Sequence, residues 1–64
     1  MKKDELNYEM KLFKGNTMVD EFEFHGDNLE LARDHAIHVL NSDKDFTSVH
    51  FKSLIATNWR TITK

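Results

Sequence analysis

"LNYEMKLFKGNTMVDEFEF", residues 6–24, decides the fold. Leu6, Tyr8, Met10 and Leu12 share one parity, while Asn7, Glu9 and Lys11 take the other. A period of two with one apolar face marks a half-buried β-strand. Lys14, Gly15 and Asn16 then give a turn signal. Beyond them Met18, Phe22 and Phe24 alternate with Val19, Glu21 and Glu23. This is a second strand, and the two read as a hairpin.

The turn is constrained by the pattern it joins. An uninterrupted ladder across a two-residue Gly15–Asn16 loop sets Tyr8 opposite Glu23 and Met10 opposite Glu21, each apolar residue against a charge. An odd residue restores the match: Met10 meets Phe22, Tyr8 meets Phe24 and Lys11 meets Glu21. A buried face fixes register, because a slip of one residue turns every side chain to the other face. The expectation is therefore a three-residue loop or a bulge, with Phe13 opposite Val19. Asp20 is left as a misfit on the inner face, near the hairpin tip.

Residues 25–42, "HGDNLELARDHAIHVLNS", change period. Gly26 breaks the strand, and Asp27 with Glu30 three residues later has the form of a capping box. Leu29, Ala32, Ala36, Val39 and Leu40 form one apolar stripe at helical spacing, with Glu30, Asp34 and His38 on the far side. Asn41, Ser42 and Asp43 end the helix. In "DFTSVHFKSLI", residues 45–55, Val49, Phe51 and Ile55 share a parity against His50 and Lys52, a third strand. Residues 56–58 can turn the chain into a short fourth strand at 59–63. Pairing Ile55 with Trp59 sets Ser53 opposite Thr61 and places Trp59 on the core face, at the rim, beside Val49 and Phe51.

The order β-β-α-β(-β) predicts an α+β domain: an antiparallel three- to four-stranded sheet with one helix packed on one face, in the order 4-3-1-2. The sequence has 64 residues, so one domain, residues 1–64, is expected, with residues 1–5 frayed. There is no cysteine, hence no disulfide or thiolate metal site. No apolar run approaches a membrane span and no signal-peptide core is seen, so a soluble, cytoplasmic protein is expected.

Charge is unevenly distributed. Residues 1–45 hold six Lys/Arg and eleven Asp/Glu, whereas residues 46–64 hold Lys52, Arg60 and Lys64 and no acid. Cross-strand pairing between the two halves is the plain structural reading. The functional reading is a partner-binding strip of Lys52, Trp59, Arg60 and Lys64; Trp and Arg are enriched among binding hot spots. The alternative strip is the acidic cluster Asp20, Glu21 and Glu23.

Chemistry is poorly represented. His25, His35, His38 and His50 have no metal-ligand spacing, and no nucleophile motif or phosphate-binding loop is present. No catalytic residue, metal or cofactor is expected. Direct nucleic-acid binding by the basic last strand, with Lys52, Arg60, Lys64 and His50 beside Trp59, is an alternative function, and a homodimer joined by an edge strand or open face is a third.

The hairpin, the turn Asn28-Leu29-Glu30-Leu31-Ala32 opening the helix, the returning strand and the tryptophan-bearing end resemble a set of small phage-encoded inhibitors. That set includes certain anti-CRISPR proteins and a phage inhibitor of bacterial RNA polymerase. The resemblance spans about residues 6–63 in pattern. It implies a non-enzymatic inhibitor or adaptor that binds a larger host protein or nucleoprotein complex and occludes a surface. It assigns no individual residue a role.

Overall fold

In a computed structural model describing residues 7–64, the chain folds as β1 (Asn7–Lys14), β2 (Thr17–His25), α1 (Leu29–Leu40), β3 (Ser48–Ser53) and β4 (Arg60–Thr63). The expected fraying of residues 1–5 and the strand start at Leu6 lie outside the described residues. The strands make one sheet in the order β2-β1-β3-β4, with each neighbouring pair antiparallel. This is the expected α+β arrangement and strand order.

The first hairpin keeps both the short turn and the buried pairs. Met10 faces Phe22, Tyr8 faces Phe24 and Lys11 faces Glu21. Lys14 and Thr17 flank a two-residue Gly15–Asn16 turn, and Gly15 has φ +60°, the first-position conformation of a type II′ turn. The odd residue is a bulge: Leu12 pairs with Asp20 but Phe13 pairs with Met18, so Val19 has no partner. The expected Phe13–Val19 pair is therefore replaced by Phe13–Met18. The Gly15 N–H donates to Thr47 Oγ1 at 2.8 Å, which ties this turn to the chain entering β3.

Tyr8, Met10 and Leu12 of β1, Val49 and Phe51 of β3, and Ala32, Ala36 and Leu40 of α1 make the core. The two alanines let the helix lie close to β1 and β3. Leu29, expected on the buried stripe, is 39% exposed at the first turn. His35 occupies the flank of that stripe and stacks on Phe24 at 4.3 Å between ring centroids, closing the β2 side of the core. The helix N-cap is Asn28, whose Oδ1 accepts from the Leu31 N–H at 2.9 Å; the cap is one residue later than Asp27. No helix among the described residues is long and apolar enough to cross a membrane.

Candidate binding face

Among the described residues only one face of the sheet carries a helix. On the other face, strand alternation sets Asn7, Glu9, Lys11 and Phe13 of β1 beside Glu21, Glu23 and His25 of β2. On the opposite flank of β1 lie Ser48, His50 and Lys52 of β3, followed by Thr61 and Thr63 of β4.

Trp59 joins this helix-free face, contrary to the expectation that it caps the core. The β3–β4 ladder pairs Phe51 with Arg60, His50 with Thr61 and Val49 with Ile62. This differs by three residues from the register that set Ser53 opposite Thr61. An odd shift inverts the faces. Ile62 turns inward and packs on the core, while Trp59, one step before β4, falls opposite Lys52. Its ring centroid lies 4.8 Å from Lys11 Nζ and 5.2 Å from Lys52 Nζ, within the range of cation–π attraction. Lys52 Nζ also lies 3.5 Å from Glu9 Oε2, and the lysine side chain is only 16% exposed. Trp59 itself is 36% exposed. The indole roofs the lysine pair.

An aromatic pair sits farther along the same face. Phe13 and His50 have ring centroids 4.7 Å apart, and His50 Nδ1 is 3.5 Å from Thr61 Oγ1. Phe13, Ser48, His50, Thr61 and Thr63 line a shallow groove there.

The residues of the expected basic strip do not lie together. Lys52 and Trp59 share the helix-free face, but Arg60 pairs with Phe51 and belongs to the helix side at the β4 edge. Lys64 follows the other end of β4, where its Nζ donates to the Asp43 carbonyl at 2.8 Å. The acidic set divides as well. Glu21 and Glu23 share the helix-free face, whereas Asp20 pairs with Leu12 on the helix side and accepts the Glu21 N–H at 2.8 Å. Lys11 and Phe13 were not among the expected binding residues, and His50 was named only for the nucleic-acid alternative. Their common parity was legible in the sequence, but their proximity to Trp59 depends on the β3–β4 register. Among the described residues no His, Asp and Glu group has the geometry of a metal site.

No protein-family model, curated protein or solved structure matches this chain.

Proposed function

We propose that this chain is a small non-catalytic binding protein, an inhibitor or adaptor that occludes part of a larger protein or nucleoprotein complex with the helix-free face of its sheet. One observation carries the reading: Trp59 lies on the face that no helix covers, braced there by Lys11 and Lys52. A tryptophan spared from the core and held by two lysines loses little conformational entropy on docking, and tryptophan is the residue type most enriched in binding hot spots. The pattern shared with small phage-encoded inhibitors, anti-CRISPR proteins among them, supports a target inside a host cell's nucleic-acid machinery.

The face is divided by charge. Glu21 and Glu23 occupy the β2 side, and Lys11 and Lys52 stand toward β3. Docking on a partner of matching pattern fixes orientation as well as position. The test is partner recovery from lysate by tagged protein, compared across folded variants. Trp59→Ala and Lys52→Glu should lose the partner that the wild type retains. Arg60→Glu, on the helix side, should keep it. Equal recovery by all of them overturns the assignment of this face.

A further inference from the structure

We infer that the β3–β4 half of the helix-free face binds single-stranded nucleic acid, with Trp59 as a base-stacking surface and Lys11 and Lys52 as phosphate partners. The inference rests on the docking face proposed above and names what that face touches: an exposed strand of a nucleoprotein partner.

Three observations converge. Trp59 is held over Lys11 and Lys52, which brings two ammonium groups within 4.8 and 5.2 Å of its ring centroid while the side chain stays 36% exposed. A base laid on the indole would bring its phosphates near both charges. Stacking on an aromatic beside basic groups is how sequence-tolerant single-strand binding works. The Phe13–His50 pair supplies a second aromatic surface. His50 precedes Lys52, the residue beneath Trp59, by two positions on β3, about 7 Å along the strand. That separation gives two neighbouring unstacked bases a platform each. Thr61, Thr63 and Ser48 line the groove beside the second platform with hydroxyls that both donate and accept.

Charge favours a nucleic acid over an acidic peptide only in combination with these rings. Lysines alone would suit either ligand, but two aromatic surfaces in line suit planar bases. Glu21 and Glu23 repel a phosphate backbone from the β2 side and so confine the strand to the β3–β4 half. Glu9, 3.5 Å from Lys52 Nζ, competes with phosphate for that ammonium.

Trp59 is the only tryptophan, so its fluorescence reports this site alone. Titration of the full chain at low salt with 12-mers of dT and of U should quench it saturably. The chosen polymers separate DNA from RNA as the source. Two neutralised phosphates give a slope of about −1.4 in log K against log salt for a single strand. Lys11→Gln with Lys52→Gln should bring that slope near zero. By anisotropy of labelled oligomer, Trp59→Ala should weaken binding about 5- to 150-fold, and Trp59→Phe should recover much of it. Glu9→Gln should tighten it. Absence of binding by both oligomers overturns the inference, as does binding that is indifferent to Trp59 and the two lysines, or equal binding of a duplex. If an acidic 12-mer peptide quenches Trp59 where the oligomers do not, the site is a protein-docking site and the nucleic-acid assignment fails. The docking face itself is judged separately by partner recovery.

Discussion

Trp59 roofs Lys52: the ammonium nitrogen lies 5.2 Å from the indole centroid and 3.5 Å from Glu9 Oε2. This is a surface arrangement, and its energetics should be those of a surface. Each exposed cation–π contact contributes about 0.5–1 kcal/mol. Trp59→Ala should therefore cost about 1–2 kcal/mol in urea unfolding, well short of the roughly 3–5 kcal/mol lost when a core aromatic is truncated. A loss in the larger range would return Trp59 to the core and reverse the β3–β4 register.

Phe51 provides the contrasting case. It is 1% exposed on β3, in the core between the sheet and α1. Phe51→Ala should remove about 3–5 kcal/mol. A domain of this size has roughly 3–10 kcal/mol in total. Circular dichroism at 25 °C should accordingly show a largely unfolded chain or one with a greatly lowered melting temperature. A variant melting within a few degrees of wild type would mean that the core lies elsewhere.

The helix cap separates two adjacent candidates. Asn28 Oδ1 accepts the Leu31 N–H, whereas Asp27 stands one position outside the helix. Asn28→Ala should cost about 1 kcal/mol, the usual loss for a side-chain N-cap. Asp27→Ala should change stability by no more than about 0.5 kcal/mol, as expected of a surface substitution. Denaturant midpoints measured side by side decide between them.

Gly26 is buried at the exit from β2, and a Cβ there would stand 2.6 Å from Phe24 Cε2. Phe24 cannot move freely, because its ring stacks on His35 with an interplanar angle of 14°. Gly26→Ala should cost about 1–3 kcal/mol through overpacking. It should also shift the His35 ring-proton resonances, which the stacked Phe24 ring now shields. An unchanged His35 spectrum would contradict the stack.

Alternation in the sequence determined β1, β2 and β3, the helix between them and the pairing of Met10 with Phe22, since that register sets Phe22 and Phe24 on the face of Tyr8, Met10 and Leu12. It also required one odd residue in the first hairpin. Whether that residue joined the turn or became the Val19 bulge was open, because either solution leaves the same pairs buried. The face of Trp59 was decided by tertiary structure alone. Trp59 and Ile62 are three residues apart and take opposite faces, so a strand of four residues that turns one inward sends the other out. In the chosen ladder Ile62 packs on the core and Trp59 is left to roof Lys11 and Lys52. Leu54–Trp59 connect β3 to β4, and a connection of that length fits more than one register; nothing within it dictates the choice. The candidate binding residues are brought together by that choice, and for this reason the sequence pointed to Trp59, Lys52 and His50 but not to Lys11 and Phe13 on the same face.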